Sequence, residues 1–168
     1  MEIINSTLKD REAIFKLYDQ AVAYQKTKFK MHWLPFEPQM VENEIKENRQ
    51  WKIVENGEIC CIFVTAYSDP FIWKELDKDP SIYLHRIVTD PKFKGRGFVK
   101  LIIEWAKYFG KQHGKKFIRM DTWGDNEELI NYYINCGFTF LKIIDRAESD
   151  TLPAHYSATS LSLFEITI

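Results

Sequence analysis

Residues 81–100, SIYLHRIVTDPKFKGRGFVK, contain the pattern that decides the fold. The mostly apolar run Ile82–Val88 predicts a strand buried on both faces, which Asp90-Pro91 ends. A short basic turn, Lys94–Gly97, follows, and apolar residues then recur at the spacing of an amphipathic helix. These residues are Phe98, Leu101, Ile102, Trp105, Ala106 and Phe109. We therefore predict a strand over 81–89 and a helix over 97–113.

The turn between this strand and this helix suits an anion. The first turn of a helix presents N–H groups without intrahelical partners and a partial positive charge. Gly95 and Gly97 let the backbone approach a ligand closely, and Lys94 and Arg96 add full positive charges. The turn has neither the P-loop spacing nor the third glycine of the dinucleotide fingerprint. We expect a phosphate or pyrophosphate ligand, and an ordinary strand-to-helix turn with solvated lysines is the alternative.

A second motif occupies residues 117–138, FIRMDTWGDNEELINYYINCGF. Phe117–Thr122 predicts a strand, and Glu127–Cys136 predicts a helix that the next residue, a glycine, ends. Asn126 and Tyr133 are close to two helical turns apart, so they share one helix face and lie about 10 Å apart along its axis.

These two motifs, in this order, resemble the GNAT superfamily of acetyl-CoA-dependent N-acetyltransferases. The family's phosphate-binding segment has Arg or Gln, two residues, Gly, one residue, and then Gly or Ala; here it reads Lys94-Gly95-Arg96-Gly97-Phe98-Val99. The family's later pattern is matched by Asn126, Leu129, Tyr133, Gly137 and Phe138. Lys94 and Val99 are the two departures from the family's usual residues, and lysine keeps the charge of arginine without its planar fork.

The resemblance implies a fold of the α/β class in a single N-acetyltransferase domain over residues 1–168. Its mixed central sheet would have about seven strands, with the central strands splayed apart and about four helices alongside. The sequence pattern agrees, since strands come first and alternating strand–helix units follow. The other predicted elements are a strand over Glu2–Thr7, helices over Leu8–Lys26 and Phe36–Asn48, a hairpin of Trp51–Glu55 and Glu58–Tyr67 around Asn56-Gly57, a polar loop over Ser68–Pro80, and strands over 138–144 and Ser160–Ile168.

Composition excludes several classes of function. The 168 residues are 45% hydrophobic, enough for one well-packed core, and the formal charge is −1. The sequence has no basic stripe that would indicate nucleic-acid binding. The longest apolar run, Ile59–Tyr67, is too short to span a membrane. The first residues, MEIINSTLKD, lack the pattern of a signal peptide, and the odd number of cysteines favours a reducing compartment. We expect a cytoplasmic protein.

The resemblance also assigns roles to particular residues. Acetyl-CoA would be the co-substrate, and no metal is implied. Its diphosphate would be bound at Lys94, Gly95, Arg96, Gly97, Phe98 and Val99. The backbone N–H groups of Ile87 and Val88 would bind the acetyl carbonyl and the start of pantetheine, and Asn126 would bind the coenzyme arm. Asn126 could instead be a plain helix N-cap.

Tyr133 matches the family's general acid, which would protonate the leaving thiolate. A phenol has a pKa near 10, so it stays protonated at neutral pH and can donate a proton. The alternative is a core tyrosine that packs on its helix. Tyr132, which points about 100° away on the helix, is the natural control.

Two residues are candidates for the general base. His85 lies where some small-amine acetyltransferases of the family carry histidine, and the pKa of histidine suits proton removal near neutrality. Asp121 lies where certain amino-terminal acetyltransferases of the family place a glutamate base. The alternatives are a structural histidine, a salt bridge from Asp121 to Arg86 or Arg119, and a base that is water.

The acceptor would be an amine of a small molecule or peptide, bound by Gln20–Met40 and Ser68–Pro80. Aromatic residues are abundant there, and they could either hold a cationic amine or close a core. These aromatic residues are Tyr24, Phe29, Trp33, Phe36 and Trp73, and Glu37, Glu75 or Asp77 could orient an ammonium group. The sequence is also compatible with a homodimer.

The predicted function is therefore acetyl transfer from acetyl-CoA to an amine by direct attack in a ternary complex. The sequence shows no nucleophilic serine or cysteine with an adjacent base, so we do not predict a covalent intermediate. Two alternatives remain. One is a coenzyme-A-binding sensor or degenerate relative, which Lys94 and Val99 motivate, and the other is a structural or oligomerisation domain.

Overall fold

The computed structural model describes residues 1–29, 32–124, 126–145 and 160–168. These residues form seven strands: β1 Glu2–Asn5, β2 Gln50–Glu55, β3 Glu58–Ala66, β4 Ser81–Thr89, β5 Phe117–Trp123, β6 Thr139–Asp145 and β7 Ser160–Thr167. They also form five α-helices: α1 Arg11–Lys28, α2 Pro38–Lys46, α3 Pro70–Trp73, α4 Phe98–Gln112 and α5 Glu127–Asn135. Short 3-10 turns cover Leu8–Asp10, Lys74–Lys78 and Pro91–Phe93.

The chain divides into two compact units. The described parts of the first lie within 1–65 and 86–97, and those of the second within 66–85, 98–145 and 160–168. Strand β4 passes from the second unit to the first between His85 and Arg86. The single domain expected over 1–168 stays a prediction.

In the first unit, β1, β2 and β3 pair in antiparallel order. The β2–β3 hairpin turns at Asn56 and Gly57, whose φ angles are 51° and 81°. Two successive residues with positive φ match the twist of the flanking strands, which is why Asn-Gly is so strong a hairpin signal. Helices α1 and α2 supply most of the core of this unit. Its buried cluster is Ile14, Leu17, Tyr18, Phe36, Val41, Ile45, Ile62 and Val88.

In the second unit, β4 pairs with β5 in parallel, and the register runs from Ser81 opposite Phe117 to Leu84 opposite Met120. Strand β7 is antiparallel to both β5 and β6. Helix α4 buries the apolar stripe that begins at Phe98 and Val99. Parallel and antiparallel pairs therefore coexist, and the prediction of an α/β fold with a mixed sheet of about seven strands is confirmed.

The segment Ser68–Pro80 differs from the polar loop that was predicted. Asp69 occupies the N-cap of α3, and Pro70 the first helical position. Ile72 and Trp73 are buried. The guanidinium carbon of Arg119 lies 5.1 Å from the Trp73 ring centroid, so this tryptophan belongs to the interior of the second unit. The prediction of a loop was wrong because the segment is polar overall, although a proline at a helix start is favourable.

The three cysteines form no disulfide. Cys60 and Cys61 are buried in β3, and Cys136 is partly exposed at the end of α5. Among the helices of the described residues, none has the length and apolar character needed to cross a lipid bilayer.

Candidate active site

Three titratable side chains of the second unit meet where β4 leaves its pairing with β5. Nδ1 of His85 lies 3.8 Å from Oδ1 of Asp121, and its Nε2 lies 3.7 Å from Oδ2 of Asp69. The His85 side chain is 17% exposed, and Asp121 and Asp69 are still less exposed. One imidazole thus lies between two largely buried carboxylates.

Strand pairing brings His85 and Asp121 together. Leu84 and Met120 are partners in the parallel register, so the residue after each lies at the next position of the neighbouring strand. The sequence analysis offered a salt bridge from Asp121 to Arg119 as an alternative. In the structure, Arg119 pairs with other carboxylates. That guanidinium is held by Asp79 and Glu165.

Asp69 was missed by the sequence analysis. It arrives from the N-cap of α3, and only its position before a proline signalled a helix start. Burial, together with the charge of Asp77, raises the pKa of Asp69 to about 6. The Asp69 carboxyl group therefore titrates close to neutral pH.

The arrangement of the cluster favours proton transfer. Its candidate ligand atoms lie within 4.8 Å of one another, close enough to surround a cation. However, the two carboxylates face opposite nitrogens of the imidazole. A single metal ion would bind only one of the two ring nitrogens. Two flanking carboxylates would instead stabilise an imidazolium if His85 accepted a proton.

The backbone of β4 changes conformation directly after His85. Arg86 has a φ of 47°, in the left-handed region that residues other than glycine rarely adopt. Such a conformation costs of order 1–3 kcal/mol and persists only where the surroundings enforce it. Ile87 and Val88, the residues predicted to bind the acetyl group, follow immediately.

The predicted phosphate turn is exposed from Lys94 to Gly97. Gly95 and Gly97 have φ angles of 81° and 72°, which L-residues rarely adopt. Its two cations already have neighbours in the first unit. The Lys94 ammonium lies 4.9 Å from the Tyr24 ring centroid, and two guanidinium nitrogens of Arg96 donate to the Glu55 carboxylate. Glu55 was not singled out by the sequence analysis.

Val99 is buried, so its side chain packs into the interior of the second unit. In the sequence pattern this valine departs from the glycine or alanine that the family usually has in the diphosphate-binding segment. Because the side chain lies in the core, the departure concerns packing of α4 more than access to the turn.

Asn126 is the N-cap of α5, and its Oδ1 accepts a hydrogen bond of 3.0 Å from the backbone N–H of Leu129. The capping alternative is therefore real. The same amide carries an NH2 donor, so capping and ligand binding use different atoms.

The Tyr133 ring packs in an aromatic cluster, with its centroid 5.5 Å from that of Phe164 and 6.2 Å from that of Phe138. These contacts fix the plane of the ring, and the residue is partly exposed.

Several candidates for the acceptor pocket have structural roles. Phe36 and Trp73 are buried core residues. Asp77 accepts hydrogen bonds from the Ser68 hydroxyl and the Asp69 backbone N–H, and Glu75 pairs with Lys78. Residues 30 and 31 of the predicted pocket lie outside the described residues.

Comparison with known proteins places this chain in a family. A family model described as "Acetyltransferase (GNAT) family" matches residues 15–138. "Uncharacterized N-acetyltransferase YesJ" of Bacillus subtilis (strain 168) is 30% identical over 73 residues, which are 44% of this chain and 41% of that protein. The match thus spans less than half the length of that relative.

Solved structures share the fold over nearly the whole chain. The GNAT-family acetyltransferase of Listeria monocytogenes 4b F2365 superposes with a TM-score of 0.77 at 22% identity, covering 99% of this chain and 94% of that one. The yncA protein of Salmonella typhimurium, in a structure with its cofactor acetyl-CoA, gives a TM-score of 0.68 at 13% identity, covering 99% and 92%. Since the family model covers most of the sequence, the chain belongs to the GNAT family of acetyltransferases.

Proposed function

We propose that the protein transfers an acetyl group from acetyl-CoA to the amine of a small molecule or peptide, by direct attack in a ternary complex. The observation that carries this proposal is the position of His85 between Asp69 and Asp121. Membership of the family supports the choice of acetyl donor, as does the acetyl-CoA in the Salmonella typhimurium relative.

The proposed chemistry begins with the amine. An ammonium group has no lone pair, so a base must remove one proton before attack. His85 takes that proton, and Asp69 and Asp121 stabilise the resulting imidazolium. The amine nitrogen then forms a bond to the thioester carbonyl carbon, the carbon–sulfur bond breaks, and Tyr133 donates its hydroxyl proton to the leaving thiolate. The nitrogen loses its second proton as the amide forms, and that proton restores the Tyr133 hydroxyl. In a variant of this scheme, Asp121 itself is the base.

The proposed coenzyme contacts follow the family motifs. The diphosphate is bound by the turn and helix start at Lys94, Gly95, Arg96, Gly97, Phe98 and Val99. The N–H groups of Ile87 and Val88 bind the acetyl carbonyl and the start of pantetheine, and Asn126 donates to the coenzyme arm. The positive φ of both glycines and the exposure of the turn support this assignment.

Release of free coenzyme thiol from acetyl-CoA, measured across a panel of amines, tests the proposal. The panel should contain polyamines, amino acids, aminoglycosides and peptides with free amino termini. Activity with at least one amine, absent without protein and without amine, is the expected result. If acetyl-CoA stabilises the protein by about 2–3 kcal/mol at a hundredfold excess over its Kd without turnover, the protein is a sensor instead. If acetyl-CoA neither binds nor reacts, a structural role takes the place of both.

A further inference from the structure

The left-handed residue of β4 is anchored by a side-chain cluster in the first unit. Arg86, with a φ of 47°, directly precedes Ile87 and Val88. Rotating the backbone at Arg86 would re-aim the N–H groups of both following residues. Under the proposed function these groups bind the acetyl carbonyl, so whatever fixes Arg86 also fixes the reacting carbon.

The guanidinium group of Arg86 is surrounded on several sides. Its Nη2 donates to Oε1 of Glu44, and its Nη1 lies 3.6 Å from the sulfur of Met40. Its central carbon lies 5.5 Å from the ring centroid of Phe36 and 5.9 Å from that of Tyr18. Planar guanidinium groups stack favourably on aromatic faces, and only 7% of the Arg86 side chain is exposed.

Glu44 is the charged partner on which this arrangement depends. It lies on α2 and is 6% exposed. Its Oε1 also lies 3.9 Å from Nη1 of Arg49, while its Oε2 is buried with no hydrogen-bond partner among the described residues. If Arg86 moved away, a buried carboxylate would lose its main partner, which is strongly unfavourable. The ion pair therefore resists any relaxation of the Arg86 backbone.

We propose that Glu44 is a positioning residue of the acetyl-transfer site. Through Arg86 it holds the left-handed backbone of β4 and so aims the N–H groups of Ile87 and Val88 at the acetyl carbonyl. This inference rests on the proposed function and adds a residue, on α2, that no sequence motif indicated.

The first test uses Glu44→Gln, which keeps the shape of the side chain and removes its charge. We expect kcat to fall about 10-fold with little change in the KM for the amine, because misplaced donors lose transition-state contacts. Backbone amide exchange in the segment 86–89 of the free protein should become faster. Asp10→Asn is the matched control: it breaks the partly buried Asp10–Lys52 ion pair, which lies in the same unit, and should leave kcat unchanged.

The second test separates positioning from stability. Two double variants, Glu44→Gln with Arg86→Ala and Glu44→Gln with Arg86→Gly, both lack the ion pair and differ by one methyl group. Glycine adopts positive φ readily and alanine does not, so we expect the glycine variant to retain about 10-fold more kcat. A purely structural ion pair predicts the opposite order or equality, because glycine weakens a strand.

The outcomes distinguish this inference from the proposed function. A wild-type protein that releases no thiol with any amine overturns both. An active wild type whose kcat is unchanged in Glu44→Gln, with equal activity in the two double variants, overturns the inference alone.

Discussion

His85 Nδ1 lies 3.8 Å from Asp121 Oδ1, so the two residues that were alternative candidates for the general base are neighbours. Charges this close interact, so a change at one residue affects the other. The question is therefore which member receives the proton first, and substitutions at the two positions should be read together.

His85→Gln should lower kcat by about 10²-fold, because it removes the proposed proton acceptor. Asp121→Asn should lower kcat less, by about 10-fold, because it weakens stabilisation of the imidazolium. Steady-state kcat values of the wild type and of both variants measure the two effects. If Asp121→Asn proves the more damaging change, Asp121 is the base and His85 assists it.

Tyr133→Phe should lower kcat by about 10²-fold or more, because the leaving thiolate loses its proposed proton donor. The ring contacts to Phe138 and Phe164 remain in this variant. Tyr132→Phe is the matched control, because that residue is 45% exposed on the same helix. Equal kcat in the wild type and Tyr133→Phe would remove this tyrosine from the mechanism.

Asp69→Asn should alter how stability depends on pH. Burial raises the pKa of Asp69 from 3.8 to about 6, so over this range the folded protein binds more protons than the unfolded chain. The free energy of unfolding of the wild type therefore falls as pH rises from about 4 to about 6, by up to about 3 kcal/mol relative to the variant. Urea unfolding at several pH values measures the difference.

Asp10→Asn provides a control of opposite sign for this measurement. Although burial acts to raise it, hydrogen bonds from Lys52 and Thr7 lower the pKa of Asp10 overall. Its contribution to stability is present above the unfolded pKa and is lost as pH falls through the folded value. A stability difference for Asp69→Asn that does not vary with pH would contradict the predicted environment of Asp69.

Glu55→Gln should tighten the binding of coenzyme A. The Glu55 carboxylate accepts hydrogen bonds from Arg96, the cation proposed to meet the diphosphate, and so competes with that ligand. Both side chains are partly exposed, so the gain should be modest, about 2- to 5-fold in Kd. Calorimetry with coenzyme A measures it. Glu58→Gln is the control: it removes an exposed partner of Lys92 and should not change the Kd. Weaker binding in Glu55→Gln would show instead that the ion pair orients Arg96 towards the coenzyme.

Local patterns were sufficient to predict most of the fold. The strand, turn and helix over 81–113 follow from hydrophobic periodicity and two glycines, and the hairpin follows from Asn56-Gly57. The proximity of His85 and Asp121 follows from the register of β4 and β5, which pairs Leu84 with Met120. These features depend on residues that are close in sequence or on regular strand pairing.

The remaining parts of the site depend on tertiary contacts. Asp69 reaches His85 because α3 forms within the segment Ser68–Pro80. The composition of that segment resembles a loop. Arginine does not favour the left-handed conformation of Arg86. The side chains that contact its guanidinium group, Glu44, Phe36 and Tyr18, come from distant positions in the chain. Periodicity cannot reveal such constraints, which is why Glu44 and Asp69 escaped the sequence analysis.

The distribution of the cysteines makes native α5 accessible to selective labelling. Burial raises the pKa of the Cys61 thiol to about 12 and raises that of Cys60 as well, so neither readily forms the reactive thiolate. Cys136 is partly exposed at the end of the helix that carries Tyr133. A maleimide dye should therefore attach at this one position in the unmutated protein and report, by fluorescence, when a coenzyme or an amine reaches the neighbouring tyrosine.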